Sequence, residues 1–252
     1  LIIFESTPAL LLFDRFKQLN ANARYVYRVS DDLRVLKNHP VVLETERRIM
    51  PRFDRVSFAS RRVTDQFTGV DRATVDSHGL HKPSFEKTTR NPYNGTWTAN
   101  AVFVGNTRLD TAFVDIASHA RPDWGFHILG AVDAPSQRPN VFQYGELPFT
   151  ETVPYIQHAD IGLFTLNYAP GAEAFAESSN KVQQYTFCRL PIVAPQFLAC
   201  AGPHVVGYEP GDEDSIRTAL HTAGQMDRSS IDPTGIRSWT ELAQSLAGEQ
   251  AP

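Results

Sequence analysis

The strongest constraint on the fold is a regular alternation between short apolar runs and amphipathic segments with helical spacing. The apolar runs are typical of strands, at 1–4, 25–29, 54–58, 73–76, 101–104, 125–129, 140–144, 161–166, 191–195 and 205–208. Helices are predicted between and after them, at about 9–19, 41–50, 60–67, 111–120, 149–158, 181–188, 213–226 and 239–246. Strands that alternate with helices form parallel sheets covered by helices on both faces. The sequence therefore predicts the α/β class.

A polar stretch from His78 to about Thr98 interrupts this alternation and contains two glycines and two prolines, Gly79, Pro83, Pro92 and Gly95. Such a composition favours a loop, and we predict a linker at 86–98. It separates an α/β segment at 1–85 from a complete α/β domain at 99–230, and 231–252 form a C-terminal helix and tail. The chain of 252 residues is long enough for two such cores.

The start of the chain predicts that the first domain is incomplete. Leu1-Ile2-Ile3-Phe4 is an apolar run typical of a buried parallel strand, which is an unusual place for a domain to begin. We expect an upstream part of this domain to be missing. In the helix that follows, Leu11, Leu12, Phe16 and Leu19 are expected to face the core.

Composition and motifs exclude several classes. A net charge of −4 gives no reason to expect nucleic-acid binding. No apolar run reaches the roughly 18–20 residues that cross a bilayer. Cys188 and Cys200 lack metal-ligand spacing and suit a reducing compartment. Histidine pairs of the HxH or HExxH type, a Walker loop, GxSxG and a strand-linked GxGxxG are absent, so we predict neither a metal site nor a hydrolase, P-loop ATPase or nicotinamide enzyme.

The stretch at 174–190 is the first candidate site. Ser178 or Ser179 can cap a helix whose first turn carries Asn180 and Lys181. Free backbone N–H groups, the positive end of the helix dipole and an ammonium then point at one place, which is the chemistry that binds a phosphate. The alternative is an ordinary surface helix with a solvated lysine.

Three further candidates follow predicted strands. Asp31 and Asp32 come directly after 25–29, where a carboxylate can accept a proton from a substrate hydroxyl or simply cap a helix. Gly105-Asn106-Thr107 is either a close approach of backbone to ligand or a plain turn. Glu146, after Gly145, can bind ribose hydroxyls or cap the next segment. These residues alone indicate a two-domain α/β protein that binds a phosphate-bearing ligand.

Short segments along nearly the whole chain, in order, resemble one family. They are Ile3-Phe4-Glu5-Ser6, Val26-Tyr27-Arg28, Ser30-Asp31, Phe53-Asp54-Arg55-Val56, Val104-Gly105, Phe126-His127, Gly130, Tyr144-Gly145-Glu146, Tyr155-Ile156, His158-Ala159, Ser178-Ser179, Lys181, Gln184-Tyr185, Leu190-Pro191, Gly207-Tyr208 and Pro210-Gly211. The chain thus resembles the xanthan-type β-glucuronosyltransferases of glycosyltransferase family 70, the GumK type.

The resemblance implies a GT-B fold, in which two Rossmann-like domains with parallel sheets hold a nucleotide-sugar between them. It implies that Asp31 is the catalytic base and that Glu146, Lys181 and Gln184 line the UDP site. It also indicates a nucleotide-sugar role for six further positions, Gly105, Thr107, Tyr168, Ser178, Ser179 and Asn180. Thr107 and Asn180 stand where the family has methionines, Leu166 stands at a tyrosine position with Tyr168 close by, and Asp32 replaces a glycine.

The function implied is inverting, metal-independent transfer of a sugar, glucuronic acid, from a UDP-sugar to a lipid-linked oligosaccharide in bacterial exopolysaccharide synthesis. No cofactor is expected beyond the donor. Lys181, Arg28 and Arg108 are candidates for the donor carboxylate. The expected location is the inner face of the cytoplasmic membrane, with peripheral membrane contact through the missing N-terminal part. The alternatives are a nucleotide-sugar epimerase or hydrolase on the same scaffold and a non-catalytic α/β nucleotide-binding module.

Overall fold

The computed structural model describes residues 1–36, 38–64, 67, 70, 73–106, 108–132 and 137–248. The chain divides into two compact units. Unit 1 contains Leu1–Gly79, Pro170–Ser178 and Arg237–Pro252, and unit 2 contains Leu80–Ala169 and Ser179–Ile236. The chain therefore passes from one unit to the other four times.

Unit 1 is built on a parallel sheet of four strands in the order β1-β2-β3-β4. The strands are β1 (Ile2–Glu5), β2 (Tyr25–Val29), β3 (Arg55–Phe58) and β4 (Ala73–Val75). Three helices follow the first strands, α1 (Phe13–Leu19), α2 (Pro40–Ile49) and α3 (Arg61–Thr64). Side chains alternate along β2, so Tyr25, Tyr27 and Val29 join one apolar core while Val26 faces the other side of the sheet.

The second face of this sheet is covered by the C-terminal helix of unit 1, α10 (Trp239–Ala247). Its start is fixed by a capping box, in which Ser238 and Glu241 each bind the other's backbone N–H. Leu242 and Leu246 then pack on Val26. Helix α10, the last helix among the described residues, therefore packs on the second face of the first sheet.

The predicted inward face of the first helix is wrong. Residues Pro8–Leu12 form a 3-10 turn, and only Phe13–Leu19 are α-helical. The tighter turn shifts the phase of the helix, so Leu10 and Phe13 are buried. The four residues expected inside are exposed, namely Leu11, Leu12, Phe16 and Leu19.

Unit 2 contains a parallel sheet of six strands in the order β10-β9-β8-β5-β6-β7. The strands are β5 (Ala99–Val104), β6 (Trp124–Leu129), β7 (Val141–Gly145), β8 (Ile161–Leu163), β9 (Ile192–Pro195) and β10 (Val205–Tyr208). The helices are α4 (Lys82–Glu86), α5 (Thr111–Ala120), α6 (Phe149–His158), α8 (Asn180–Phe187) and α9 (Glu213–Gly224), while α7 (Phe175–Ser178) belongs to unit 1. Strand order reverses between β5 and β8, and such a switch point is where open α/β sheets bind ligands.

The structure divides the chain differently from the predicted boundaries. The stretch predicted as a linker belongs to unit 2, because the Gln157 amide donates hydrogen bonds to the carbonyls of Phe85 (2.7 Å) and Lys87 (2.8 Å), and the Tyr93 hydroxyl donates to the Tyr155 carbonyl. Residues 170–178 and the C-terminal helix join unit 1. Within the described ranges, every helix is too short or too polar to span a bilayer.

Candidate functional site

In unit 1 the two aspartates after β2 have different environments. Asp32 is buried, and its Oδ1 accepts hydrogen bonds from the backbone N–H and the Nε of Arg34, both at 2.9 Å. Its Oδ2 accepts a third bond from the same guanidinium, also at 2.9 Å. The turn-capping role considered for this pair therefore falls on Asp32.

Asp31 is held through its backbone and leaves its carboxylate available. The buried Ser6 hydroxyl oxygen accepts hydrogen bonds from the N–H groups of Asp31 (3.0 Å) and Ser30 (3.2 Å). Within the described part of the chain, the Asp31 carboxylate has neither a hydrogen-bond nor an ion-pair partner. Burial alone raises the pKa of this carboxyl above its ordinary value.

Asp31 is among the residues that line a small, partly open cavity inside unit 1. The lining residues are Ser30, Asp31, Asp32, Val35, Leu36, Val63, Gly171, Phe175 and Ser178. The wall of this cavity is largely apolar, and part of it comes from the segment Pro170–Ser178 of unit 1. This segment is held in place by the Glu177 carboxylate, which accepts a hydrogen bond from the Arg61 N–H at 2.7 Å. An unpartnered carboxylate beside an apolar wall can accept a proton from a bound hydroxyl.

In unit 2 a glycine marks the end of each of three neighbouring strands, at Gly105 after β5, Gly130 after β6 and Gly145 in β7. The Gly105 N–H donates to the Leu129 carbonyl at 2.8 Å, and the Gly130 N–H donates to the Gly145 carbonyl at 2.7 Å. A Cβ at Gly130, whose φ is +139°, would lie 1.9 Å from the Gly105 carbonyl oxygen. Only glycine fits there, so these strand-end loops stack backbone against backbone.

Lys181 lies at the end of β5, the strand beside the switch point. Its Nζ is 4.9 Å from the centre of the Phe103 ring and 6.0 Å from that of Phe164. A Cβ at Gly105 would lie 2.5 Å from this nitrogen, so the ammonium rests against the glycine backbone. No hydrogen bond or ion pair to Lys181 Nζ occurs among the described residues, and burial lowers its pKa to about 8.

The helix that carries Lys181 also begins without a side-chain cap. Helices α5, α9 and α10 are capped by Asp110, Asp212 and Ser238. Ser179 occupies the N-cap position of α8, but its side chain makes no capping hydrogen bond. The first-turn N–H groups of α8 are therefore open to an anion.

The remaining predicted site residues fall in several places. Gln184 is half-buried one turn after Lys181, and Asn180 is exposed at the first position of α8. Glu146 is exposed, and its Oε1 accepts a hydrogen bond from the Asn106 amide at 3.1 Å. Tyr168 is exposed and packs its ring edge-on against Phe197.

Two predicted positions stand apart from this set. Ser178 belongs to unit 1, where it lines the Asp31 cavity, whereas the prediction grouped it with Lys181. Thr107 lies outside the described residues. Asn106 was not predicted as a site residue by itself, although a polar amide directly after a strand-end glycine is a signal that could have identified it.

The two arginine candidates also differ. Arg28 is fully buried in unit 1, where its Nη1 donates to Ser57 Oγ at 2.9 Å. Arg108 is exposed in the loop after β5, and its φ of +59° is a left-handed conformation that costs energy for a residue with a side chain. The Asn167 N–H holds this turn by donating to the Arg108 carbonyl at 2.8 Å.

One Asp-x-Asp sequence occurs, at Asp212–Asp214, and it forms the start of α9, where Asp212 accepts the Ser215 N–H at 2.9 Å. It serves as a helix cap. In the part of the chain that the structure describes, no group of three His, Cys, Asp or Glu side chains is arranged to hold a metal ion.

Comparison with known proteins agrees with the resemblance. Residues 1–59 match the model of the family described as glucuronosyltransferase GumK, N-terminal domain. The chain is 31% identical over 231 residues to the UDP-glucuronate:glycolipid 2-beta-glucuronosyltransferase of Xanthomonas campestris pv. campestris, an alignment that covers 90% of this chain. The resemblance to the GumK type is confirmed. The chain spans 57% of the length of that curated relative.

Solved structures confirm the GT-B type of fold for this GumK-like chain. HepE of Anabaena, solved in complex with UDP-glucose, has a TM-score of 0.69 at 14% identity and matches 98% of this chain and 77% of its own. WaaG, a glycosyltransferase involved in lipopolysaccharide biosynthesis, gives 0.57 at 15% identity over 95% and 77%. Sucrose-phosphate synthase from Thermosynechococcus elongatus gives 0.62 at 14% identity over 92% and 68%.

Proposed function

We propose that this chain is part of an inverting, metal-independent glycosyltransferase that moves glucuronic acid from UDP-glucuronate to a lipid-linked oligosaccharide. The observation that carries the proposal is the Lys181 ammonium, which has no hydrogen-bond or ion-pair partner among the described residues and rests against Gly105 where the strand order of unit 2 reverses. The curated relative, whose name gives UDP-glucuronate as donor and a glycolipid as acceptor, supports the substrate pair.

Unit 2 supplies the chemistry for the leaving group. A diphosphate at the start of α8 would meet the open N–H groups after Ser179 and the Lys181 ammonium. Charge-assisted hydrogen bonds of this kind are about twice as strong as neutral ones. Glu146 offers a carboxylate to the ribose hydroxyls. Gln184 lies on α8, one turn after Lys181. In our proposal Lys181 and the helix end stabilise the negative charge of departing UDP, the task that a metal ion performs elsewhere.

Unit 1 supplies the base. The Asp31 carboxylate takes the proton of an acceptor hydroxyl as the hydroxyl oxygen bonds to the anomeric carbon of the donor. The bond from that carbon to the UDP oxygen breaks in the same step, and UDP leaves with the bonding electron pair. A single displacement of this kind inverts the anomeric centre. A raised pKa makes the Asp31 carboxylate a stronger base than a solvated one.

The donor carboxylate requires a cation, and we propose Arg108. Its guanidinium is exposed on the loop that carries Gly105, whereas Arg28 is buried and bonded to Ser57 in unit 1. Lys181 is assigned to the diphosphate by its place against Gly105. Arginine also fits a carboxylate through two parallel hydrogen bonds.

The proposed acceptor and location follow from the same relative. A glycolipid acceptor is presented at a membrane, so we propose a peripheral position on the inner face of the cytoplasmic membrane, in bacterial exopolysaccharide synthesis.

The first test is calorimetric titration of the chain with UDP, UDP-glucuronate and UDP-glucose. We expect saturable UDP binding that weakens about 10- to 100-fold in Lys181→Ala, because charge-assisted hydrogen bonds are lost. The matched control is Lys87→Ala, an exposed lysine, which should bind as the unsubstituted chain does. Tighter binding of the glucuronate donor should depend on Arg108. Absence of UDP binding to a folded chain would overturn the proposal.

Turnover separates the alternatives. An epimerase or hydrolase would consume the donor without acceptor, and a binding module would consume none with or without it. A transferase consumes UDP-glucuronate only when a lipid-linked acceptor is supplied.

A further inference from the structure

Asn106 bridges the loops that follow three neighbouring strands of unit 2. Its Oδ1 accepts the Ala131 N–H at 3.0 Å, and its Nδ2 donates to Glu146 Oε1 at 3.1 Å. A Cβ at Gly130 would lie 2.8 Å from the same Oδ1. The Asn106 amide can therefore occupy this position only because residue 130 is a glycine. One exposed side chain therefore connects the ends of β5, β6 and β7.

The direction of this amide is determined by its neighbours. A backbone N–H can only donate, so the atom that faces Ala131 must be the carbonyl oxygen. The NH₂ group then points at Glu146, whose carboxylate can only accept. The two hydrogen bonds support each other, because reversing the amide would set donor against donor and acceptor against acceptor.

The bond has a consequence for the Glu146 carboxylate. An exposed glutamate samples many rotamers, and fixing them costs free energy when a ligand binds. Asn106 engages one carboxylate oxygen before a ligand arrives, and the second oxygen keeps its capacity to accept hydrogen bonds. A carboxylate held in this way is suited to two neighbouring hydroxyl groups.

We propose that Asn106 is the positioning residue for ribose recognition, holding Glu146 so that its carboxylate accepts hydrogen bonds from the 2′ and 3′ hydroxyls of a uridine diphosphate. This inference rests on the proposed function. It assigns to Asn106 no direct contact with the reacting atoms.

The test compares the affinity of the chain for UDP with its affinity for 2′,3′-dideoxy-UDP, measured by calorimetry. The ratio of the two dissociation constants reports ribose recognition and ignores changes that weaken both nucleotides equally. We expect the unsubstituted chain to prefer UDP by about tenfold or more, because hydrogen bonds to a charged group are lost in the analogue.

Asn106→Asp is the decisive variant. It keeps the oxygen that accepts the Ala131 N–H but replaces the donor to Glu146 with a second negative charge. If Asn106 positions Glu146, the ratio should fall to about one to three in Asn106→Asp and also in Asn106→Ala. If Asn106 only fixes the loop through Ala131, Asn106→Asp should keep the full ratio, and the inference is overturned.

Two controls make the outcome specific. Asn94→Asp adds the same charge on another exposed loop of unit 2 and should leave the ratio unchanged. Glu146→Ala should bring the ratio of dissociation constants to about one. Adding Asn106→Asp to Glu146→Ala should not lower the ratio further, since the effects of two residues that act through one interaction are not additive. A Glu146→Ala chain that still prefers UDP would refute the ribose role of Glu146 in the proposed function. Loss of the ratio in Glu146→Ala but not in Asn106→Asp would refute the inference about Asn106 alone.

Discussion

Each unit of the molecule contains a half-buried charge without a partner among the described residues, and the two charges have opposite signs. In unit 1 it is the Asp31 carboxylate in a largely apolar cavity. In unit 2 it is the Lys181 ammonium, between aromatic rings and a glycine. Burial favours the neutral form of both groups. It raises the pKa of Asp31 and lowers the pKa of Lys181 to about 8.

Two buried carboxylates of unit 1, by contrast, are paired with arginines. Asp32 binds the Arg34 guanidinium with both oxygens. Asp76 accepts hydrogen bonds from five groups in unit 1, belonging to Arg55, Ser57, Thr74, Arg237 and Ser245. A paired charge is explained by the fold that it stabilises, whereas an unpaired one costs stability and invites a ligand as its partner. Among these four residues, pairing separates Asp32 and Asp76 from the proposed functional charges Asp31 and Lys181.

The largest expected effect is on catalysis. Asp31→Asn should lower glucuronate transfer by about 10²- to 10⁴-fold, the contribution typical of a general base. UDP affinity should stay within about twofold, because Asp31 makes no contact with the nucleotide in the proposed mechanism. A transfer assay with labelled UDP-glucuronate, beside calorimetry on the same protein, measures both. Loss of UDP binding together with activity would contradict the assignment.

The next effect concerns the paired charges. Asp76→Asn should destabilise the chain by about 3 kcal/mol, since the Arg55 and Arg237 guanidinium groups lose their buried counter-charge. The arginine and hydroxyl hydrogen bonds hold the pKa of Asp76 well below its ordinary value. Its contribution to stability is therefore complete above the unfolded pKa and is lost as the pH falls below it. Urea unfolding of both proteins at several pH values checks the size and the sign.

A smaller effect should appear in the pH dependence of UDP binding. With the Lys181 pKa at about 8, the fraction of ammonium falls about fivefold between pH 8 and pH 9, and UDP affinity should fall with it. Lys181→Arg keeps its charge through this range, so its affinity should vary little with pH even if it is weaker overall. Equal slopes for the two proteins would show that another group controls the titration.

The smallest effect is on stability at Asp31. Because burial raises its pKa in the folded state, this carboxyl favours folding below the unfolded pKa and loses that contribution as the pH rises through the folded one. Asp31→Asn should therefore leave stability at pH 7 unchanged or raise it by about 0.5 kcal/mol, a figure reduced for solvent screening. Thermal unfolding should show the opposite sign for Asp32→Asn, which breaks the Arg34 contacts.

Local features of the fold were predictable where the sequence marks them. The bounds of α5 and α6 were predicted as the structure has them, at 111–120 and 149–158. Asp110 caps the first of these helices through the Phe113 N–H, a signal that can be read from a few residues. The parallel α/β organisation followed from the alternation of strands and helices.

Features that depend on specific side-chain contacts or on a change of helix type were not predictable. The inward face of α1 depends on a 3-10 turn at 8–12, which apolar spacing alone does not reveal. The different environments of Asp31 and Asp32 depend on Ser6 and Arg34. The sequence shows two adjacent aspartates and does not indicate which of them is paired. Asn106 acts through Ala131 and Glu146, 25 and 40 positions further on. The Ser6 and Asn106 contacts are brought about by the sheet, whereas the 3-10 turn and the Arg34 contact are local features that apolar spacing does not mark.

The threading of the chain between the units has a consequence for synthesis. Unit 1 takes residues from three separate stretches, and the last of them carries Leu242 and Leu246, which cover Val26. On the ribosome, Val26 must wait without this cover until Leu242 and Leu246 have emerged. Neither unit corresponds to an uninterrupted piece of the gene, so a single cut cannot release one intact.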